Sequence, residues 1–319
     1  MIVQGHTSVP PLFGEAHSNH RTADQSVCKG FLPEFSKHAV IVVVVNKRPT
    51  LLERYSLLAL ERHYRLKYDI VLLQPEGLGY RRRHCRSIEI SRHHFSSELA
   101  RANLMISPEF YSLFRAYDYL LEYRLDCLVF RDRLAFFCSL GRDYISSAWI
   151  PAGSGWPQRS FVGLGGLSLR KVSSFERVAR LVSQNPEHAR LVDEVVGRYA
   201  AEDVFWGRDA PRIDPSFNVC TLEESLRFSF NGSPGPYLRR VRKSPPFGCH
   251  CFSLSTKDFV YYNNFVALPI VVKFVWSLAL LCLLVPRDFL KFIARIVFRR
   301  QRYADNMHLR GLYLQADYS

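Results

Sequence analysis

The 319-residue sequence lacks the short cysteine motifs that mark structural zinc sites and disulfide-rich folds. None of its eight cysteines forms a C-x-x-C pair, and several lie within apolar runs, where a free thiol behaves as a small hydrophobe. A chain of this length with 48% hydrophobic residues does not need a disulfide framework, so a reducing compartment is the simpler interpretation. The triplet Cys249-His250-Cys251 could hold a metal, but structural zinc requires further ligands at regular spacing, and the neighbouring sequence offers none.

Other absences narrow the class of protein. Residues 1–30 contain no apolar core segment of the kind found in secretory signals, so we expect a mobile tail over residues 1–37 and a cytoplasmic location. There is no internal repeat and no low-complexity tract. Helix-turn-helix, zinc-finger and aromatic RNA-binding motifs are also missing, so nucleic acid is not an expected partner and only the net charge argues for it.

That net charge is +14, and arginine runs such as Arg81-Arg82-Arg83 and Arg299-Arg300 contribute much of it. A basic balance favours anionic partners, which include nucleic acid, anionic lipid and phosphorylated substrates. A solvated basic surface with no partner explains any single run equally well.

The pattern of apolar residues predicts an α/β domain. The run from His38 to Asn46 is short, continuous and β-branched, which is typical of a central strand buried on both faces. Residues 48–64 have helical spacing with Pro49 in the first turn, and residues 68–75 form a second buried run that ends at Pro75. A strand, a helix and a strand in this order predict a parallel unit.

The same reasoning assigns the following segments. We treat residues 76–96 as irregular, residues 97–118 as helical with a break before Pro108, and residues 119–130 as a third strand. We predict a short helix closed by Gly141, a strand over residues 142–150, a loop over residues 151–166, and helices over residues 173–184 and 201–210. Alternation over residues 38–220 therefore favours a mixed, mainly parallel sheet flanked by helices.

The composition changes beyond residue 260. The apolar run of residues 265–285 is long enough to span a bilayer, but Pro269 and Lys273 weaken that interpretation. Residues 287–302 alternate apolar and basic side chains in the pattern of an amphipathic helix on an anionic membrane. We expect a domain over residues 38–260 and a membrane-associated helical tail over residues 261–319, with a helical hairpin packed on the domain or a partner chain as the alternative.

Asp126 is the first candidate for chemistry. A carboxylate in a long apolar strand is costly to bury unless it lies near the strand end, is paired or binds a metal. Ligands of open α/β sheets collect at the carboxyl ends of strands, where a carboxylate can hold Mg²⁺ or Mn²⁺ against a diphosphate. Capping of the following turn is the alternative.

Two further motifs could contact a substrate. In FVGLGGLSLRKV, the glycines Gly163, Gly165 and Gly166 allow close approach of the backbone to a sugar or phosphate, although an ordinary turn explains them as well. This motif lacks the full dinucleotide fingerprint, which argues against an NAD site. In AEDVFWG, the adjacent Glu202 and Asp203 could supply a general base beside aromatics such as Trp206, or could begin a helix.

His250 follows a proline-glycine turn in PPFGCHCF. Its imidazole could bind a metal or donate a hydrogen bond to a phosphate, although a lone histidine is more often structural.

These motifs and their order resemble an uncharacterised-domain family of GT-A-like glycosyltransferases. The resemblance rests on YRLDCLVF, GLGGLSLR, AEDVFW, LRFSF and PFGCH and extends over about residues 38–255. It implies a GT-A-like fold, a nucleotide-sugar donor and a divalent metal, Mn²⁺ or Mg²⁺. Asp126 and His250 resemble the metal ligands, Gly165 and Gly166 would line a sugar, and one carboxylate of Glu202-Asp203 would be the base.

The chain departs from the family pattern at Arg124, Leu164, Ala201 and Ala102, where Gln, Asn, Asn and Tyr are usual. Arg124 could neutralise a diphosphate, or could pair with Asp126 and displace the metal. Leu164 and Ala201 each remove a polar group beside the expected sugar site.

The resemblance thus implies a metal-assisted, inverting transfer of sugar to a hydroxyl acceptor, in glycan or surface polysaccharide synthesis. A glycan or a lipid-linked glycan is the expected acceptor. Three alternatives stay open: a catalytically inactive relative that binds glycan or nucleotide at a membrane, a basic nucleic-acid-binding protein and a membrane-docked scaffold.

Overall fold

The protein is described by a computed structural model over residues 38–149, 161–199, 202–231 and 245–251. All of these residues lie inside the domain predicted for residues 38–260. The predicted tails, 1–37 and 261–319, lie outside the described residues. Among the helices of the described ranges, none is both long enough and apolar enough to cross a membrane.

The described residues form two sheets and eight α-helices. The strands are β1 (Ala39–Val44), β2 (Asp69–Pro75), β3 (Arg86–Ile90), β4 (Tyr119–Arg124), β5 (Cys127–Val129), β6 (Tyr144–Trp149), β7 (Phe161–Lys171), β8 (Ser229–Asn231) and β9 (Gly248–His250). The helices are α1 (Leu51–Tyr64), α2 (Glu98–Leu104), α3 (Pro108–Ser112), α4 (Leu134–Ser139), α5 (Val172–Gln184), α6 (Pro186–Tyr199), α7 (Ala210–Ile213) and α8 (Leu222–Phe228).

The larger sheet has the strand order β3-β2-β1-β4-β7-β6. Strands β1 to β4 are parallel, whereas β7 runs antiparallel to both β4 and β6. The smaller sheet has the order β5-β9-β8. The prediction of a mixed, mainly parallel α/β sheet is therefore confirmed.

The central position of β1 follows from its composition. All six of its residues are buried, because both faces of the strand are covered by apolar clusters. Val40, Val42 and Val44 face the cluster around α5, and Ile41 and Val43 face the cluster around α1. This alternation across a strand buried on both sides is what a continuous β-branched run predicts.

Helix α1 begins one turn later than predicted. Thr50 is its N-cap and forms a reciprocal capping box with Glu53. Pro49 therefore precedes the cap instead of lying in the first turn. The capping box satisfies two backbone donors at the helix start.

The third predicted strand is two strands in two sheets. Strand β4 ends at Arg124 and β5 begins at Cys127, so Leu125 and Asp126 form the corner between the sheets. The apolar run hides this corner because both strands are buried. Asp126 consequently lies just beyond the carboxyl end of β4, where a carboxylate is accessible.

The predicted loop over residues 151–166 is wrong for residues 161–166, which belong to β7. The register with β6 jumps from Ser146–Ser168 to Ser147–Leu164, so the glycines lie in a bulge. Bulges redirect side chains and are frequent beside active sites. Strand β3 was likewise missed inside the segment predicted to be irregular, because most of its residues are only half-buried.

The helix predicted over residues 201–210 is partly confirmed. Phe205–Asp209 form a π-helical turn that leads directly into α7. Short π-helical turns are rare and occur often at functional sites.

The strand order creates a crevice between β1 and β4. From β1 the chain moves to β2 and β3 on one side, and it then returns to β4 on the other side of β1. In open α/β sheets, ligands bind outside the carboxyl ends of strands at such a switch point.

Candidate functional site

A pocket opens at the carboxyl ends of β1 and β4. Its volume is about 180 Å³, and its lining residues come from the two strand ends, from α1 and from α2: Val44, Asn46, Lys47, Glu53, Arg101, Arg124, Leu125 and Asp126. The pocket therefore coincides with the switch point of the sheet, where the fold class places its ligands.

Three cations line this pocket. Lys47 follows β1 and is exposed, Arg101 lies on α2, and Arg124 ends β4. Glu98 forms an ion pair with Arg101 and lies 3.8 Å from Arg124, so it fixes the two guanidinium groups beside one another. Cations held in this way favour a ligand that carries phosphate.

Of the polar residues that line the pocket, Arg124 was predicted from the sequence, whereas Asn46, Lys47 and Arg101 were not. The available signal was the pair of polar residues that directly follows the buried run of β1. Arg101 was not recognisable because it belongs to a helix whose position depends on tertiary packing.

Asp126 and His250 meet at the edge of this pocket. Strand β9 pairs with β5 so that His250 is opposite Cys127, the residue after Asp126. The imidazole Nε2 lies 3.2 Å from the carboxylate Oδ1. Two residues that were singled out separately in the sequence thus form one ion pair.

The pair stabilises the charged form of both side chains. Burial opposes ionisation of Asp126, but the hydrogen bond from His250 and the charges of His250 and Arg124 hold its pKa well below its usual range. Burial likewise lowers the pKa of His250, but its hydrogen bond with Asp126 and its contact with Cys251 raise it to about 9. Arg124 acts on Asp126 through its charge, and its ion-pair partner is Glu98.

The glycine bulge packs against these residues. A β-carbon at Gly166 would lie 2.3 Å from the His250 ring, so only glycine fits there with the ring in place. Gly166 also has a φ of 96°, which side chains other than hydrogen rarely tolerate. The adjacent Gly165 donates its backbone N–H to Asp203 Oδ2 over 2.5 Å.

Asp203 is thereby brought to the same site. Its carboxylate also accepts the backbone N–H of Val204 at 3.0 Å. Burial raises the pKa of Asp203, while the two backbone donors and the charge of His250 oppose that rise. A half-buried carboxylate with a raised pKa is suited to accept a proton near neutral pH.

Glu202 has a different environment. Its carboxylate is 3.0 Å from the guanidinium of Arg170, a fully buried residue that also pairs with Glu122. Arg170 further donates to the hydroxyl of Tyr111 at 2.9 Å and to Ser168 at 3.0 Å. Burial and the charge of Glu122 raise the pKa of Glu202. Glu202 is therefore anchored in the core next to Asp203.

Two other predicted contacts lie away from the pocket. Trp206 is fully buried and packs on Phe175 with a ring separation of 4.2 Å, so it is a core residue with no surface for a substrate. Gly163 packs against the π-helical turn. A β-carbon added at Gly207, which belongs to that turn, would lie 3.0 Å from the Cα of Gly163. Gly163 brings the strand and the turn together and does not line the pocket.

The donor atoms at the site suit a divalent cation. Asp126, Cys127 and His250 offer ligand atoms within 4.8 Å of one another. Cys127 donates its thiol to the Gly166 carbonyl over 2.9 Å, and burial raises its pKa well above the usual value, so it remains a protonated thiol. The carboxylate and the imidazole fit Mn²⁺ better than Mg²⁺, because Mg²⁺ prefers oxygen ligands alone.

Comparisons with known proteins give one family and several distant structures. A family model described as a protein of unknown function, DUF5672, matches residues 84–250. A glycosyltransferase involved in the glycosylation of the major capsid of PBCV-1 is 14% identical, covers 71% of this chain and 99% of its own, and has a TM-score of 0.43. An active-site mutant of LgtC is also 14% identical and covers 72% of this chain and 98% of its own, with a TM-score of 0.41.

The bifunctional glycosyltransferase WbbM is a third similar structure, with 14% identity, a TM-score of 0.45 and coverage of 77% of this chain and 52% of its own. No curated protein sequence matches the chain. The family match extends from the segment before β3 to the last residue of β9 and so includes Asp126, Asp203 and His250. On that match, which covers more than half of the sequence, the chain belongs to the DUF5672 family.

Proposed function

We propose that the protein is a GT-A-like glycosyltransferase that moves a sugar from a nucleotide-sugar to a hydroxyl acceptor with inversion. The observation that carries the proposal is the meeting of Asp126, His250 and Asp203 beside a basic pocket at the β1/β4 switch point. A metal-binding pair, a carboxylate base and a set of cations are the groups that such a transfer requires.

The donor diphosphate occupies the pocket in this proposal. Lys47, Arg101 and Arg124 neutralise its phosphates, and Glu98 keeps the two guanidinium groups in position. Asp126 and His250 would hold a divalent cation, which would supply charge stabilisation to the departing diphosphate. Asn46 follows β1 and lines the pocket, and in this proposal it contacts the nucleoside.

Asp203 is the proposed base. It accepts the proton of the acceptor hydroxyl, and the resulting oxygen attacks the anomeric carbon from the face opposite the diphosphate. The bond from the anomeric carbon to the diphosphate oxygen breaks, and its electron pair leaves with the nucleoside diphosphate. Gly165 and Val204 hold the Asp203 carboxylate by backbone hydrogen bonds, so its orientation is fixed before the acceptor binds.

The test is calorimetry of the purified protein with UDP-, GDP- and CMP-sugars, with and without Mn²⁺. We expect metal-dependent binding of one nucleotide, lost in Asp126→Ala. Asp132→Ala removes an exposed carboxylate that is paired with Lys67, and it is the matched control that should bind normally. A lack of binding to every nucleotide would exclude a donor site.

One observation favours a second candidate. Leu164 places a half-buried apolar side chain in the bulge where the family usually has a polar residue. A catalytically inactive relative would bind a nucleotide or glycan at this site without turnover. Nucleotide binding without transfer or hydrolysis on any acceptor would identify that case.

We further propose that residues 261–319 bring the site to an anionic membrane, which suits a lipid-linked acceptor. The support is the apolar run followed by alternating apolar and basic side chains in the sequence.

A further inference from the structure

Cys251 occupies an unusual backbone conformation at the end of β9. Its φ is 60°, and within the described ranges it is the one residue other than glycine with a positive φ. This region is sterically unfavourable for a side chain with a β-carbon, so the surrounding structure must hold it there. The conformation turns the half-buried thiol back towards the residues that precede it.

The thiol reaches both members of the Asp126–His250 pair. Its sulfur lies 3.6 Å from Asp126 Oδ2, 125 residues earlier in the chain, and 3.5 Å from both Nδ1 and Nε2 of His250. His250 Nε2 is in turn 3.2 Å from the other carboxylate oxygen, Asp126 Oδ1. A carboxylate, an imidazole and a thiol therefore meet at the edge of the pocket.

These three groups are ligands that zinc takes, with bonds of about 2.0 Å to oxygen or nitrogen and about 2.3 Å to sulfur. The sulfur is equally far from the two ring nitrogens, so it does not lie along the lone pair of Nε2. Metal binding therefore requires a rotation of the Cys251 side chain that brings its sulfur and His250 Nε2 to the same cation.

We propose that Cys251 is the third protein ligand of the metal and that the site takes a borderline cation of the Zn²⁺ or Co²⁺ class. The inference rests on the proposed function for the metal's place beside the donor pocket, but metal binding itself does not depend on it. The Cys251 thiol and the His250 imidazolium each release a proton to solvent as their bonds to the metal form. The fourth position stays open for a water molecule or a phosphate oxygen, as in catalytic zinc sites.

The fold supplies the further ligand that the local sequence around His250 lacks. The triplet Cys249-His250-Cys251 lacked further ligands at regular spacing, whereas the fold supplies Asp126 from the corner between the two sheets. Cys127 is the rival sulfur, but its thiol is committed to the Gly166 carbonyl and it is fully buried.

The experiment is a Co²⁺ titration of the full-length protein without donor, followed by absorption. We expect a near-ultraviolet thiolate-to-cobalt charge-transfer band and visible bands typical of tetrahedral cobalt. Both features should disappear in Cys251→Ser and in Cys251→Gly. The glycine variant relieves the positive φ, so it keeps the test valid if the serine variant folds poorly.

Two variants serve as controls. Cys127→Ser preserves a donor to the Gly166 carbonyl, and Cys85→Ser changes a half-buried cysteine whose thiol contacts Glu61 on α1. Both should retain the charge-transfer band. Competition with Zn²⁺ should show about tenfold or more weaker binding in the Cys251 variants, the loss expected when a group of the metal site is removed.

A band that persists without Cys251, or that is lost in Cys127→Ser instead, overturns the proposal. Wild-type protein that binds Mn²⁺ through Asp126 without any charge-transfer band for Co²⁺ also overturns it, and leaves the proposed transferase function standing. A Cys251-dependent band in a protein that transfers no sugar supports this inference and counts against the transferase function.

Discussion

A β-carbon added at Gly166 would lie 2.3 Å from Nε2 of His250, so the strand backbone and the imidazole are in direct contact. Gly166 is in the bulge of β7, and His250 ends β9 of the second sheet. The contact packs the strand backbone against the ring that pairs with Asp126. The absence of a side chain at Gly166 thus leaves the space that the His250 ring occupies in the Asp126–His250 pair.

We predict that Gly166→Ala weakens metal binding by about tenfold or more. The new methyl group displaces the His250 ring, and losses of this size are typical when a group that orients a metal ligand is changed. The methyl group cannot coexist with the ring in its present place, and the φ of 96° adds backbone strain of about 1–3 kcal/mol. Calorimetry with Mn²⁺ measures the affinity, and thermal unfolding measures the stability.

Gly79→Ala distinguishes the effect of backbone strain from the effect of displacing the His250 ring. Gly79 also has a positive φ, 61°, but a β-carbon there would meet no atom within 4 Å. This variant should lose stability and keep normal metal affinity. Equal metal affinity in Gly166→Ala and wild type would show that His250 does not hold the metal.

Asp203→Asn should lower the transfer rate by about 10²- to 10⁴-fold and leave donor affinity nearly unchanged, because the base acts on the acceptor. Burial raises the pKa of Asp203, so the wild-type rate should rise with pH through that pKa as the carboxylate ionises. Rate-against-pH profiles of both forms check this, and the acid limb should vanish in the variant.

Glu202→Gln is the control at the adjacent residue. The carboxylate of Glu202 is bound to Arg170, so this variant should lower the stability of the protein and keep the acid limb of the rate profile. If the acid limb disappears in Glu202→Gln and survives in Asp203→Asn, the two carboxylates have the opposite roles.

Much of the sheet was predictable because its strands carry a local signal. Strands β1 and β2 are continuous apolar runs, and such runs are typical of strands buried on both faces of a sheet. The corner at Asp126 was not predictable, because the apolar character continues through it into β5. Strand β3 was hidden because its partly exposed residues lack a clear alternation.

The residues of the candidate site were singled out one by one from local signals, and the family resemblance assigned Asp126 and His250 to the same metal. Asp126 attracted attention as a carboxylate in an apolar run, and His250 as a histidine after a turn. Their contact depends on the pairing of β9 with β5, which joins segments far apart in the sequence. Trp206 was misjudged because an aromatic beside carboxylates has the same local pattern in a core as at a sugar site.

Arg170→Met should destabilise the protein by about 3–5 kcal/mol, since it leaves buried carboxylates without their cation. Arg170 is fully buried and pairs with both Glu122 and Glu202. Denaturant unfolding gives the free energy. Adding Glu122→Gln to the variant removes one uncompensated charge and should recover part of the loss. If the double variant recovers no stability, the loss in Arg170→Met arises from changed packing and not from the unpaired carboxylates.

Glu176 should make stability depend on acid pH. The hydrogen bond from Arg115, together with Arg180, lowers its pKa from 4.5 to about 2 although burial opposes this. The folded-state pKa lies below the unfolded value, so the stabilisation is complete above pH 4.5 and is lost as the pH falls to about 2. Both arginines are about half exposed, so solvent screening reduces what their ion pairs with Glu176 contribute to stability.

Measuring the free energy of unfolding of Glu176→Gln and of wild type between pH 7 and pH 2 tests this prediction. The variant should be less stable than wild type at neutral pH, and the difference should shrink towards pH 2. Glu194→Gln is the control, because Glu194 is 65% exposed on its side chain and lies 3.9 Å from Arg190. A difference that stays constant with pH would mean that Glu176 stabilises by packing alone.

The basic residues after the apolar run should govern binding to anionic vesicles. Near an anionic surface each lysine or arginine contributes about 1 kcal/mol, so replacing Arg287, Lys291 and Arg295 with glutamine should weaken binding by about a hundredfold. Flotation with vesicles that contain or lack anionic lipid measures this, and salt should weaken the wild-type interaction as well.

The control must remove the same charge elsewhere. Arg190, Arg212 and Arg227 lie on the described domain, with side chains 78%, 61% and 60% exposed. Replacing these three with glutamine changes the net charge equally but leaves the tail intact, so vesicle binding should persist. If both triple variants lose binding to the same extent, the overall charge of the protein drives the association and the tail has no specific part in it.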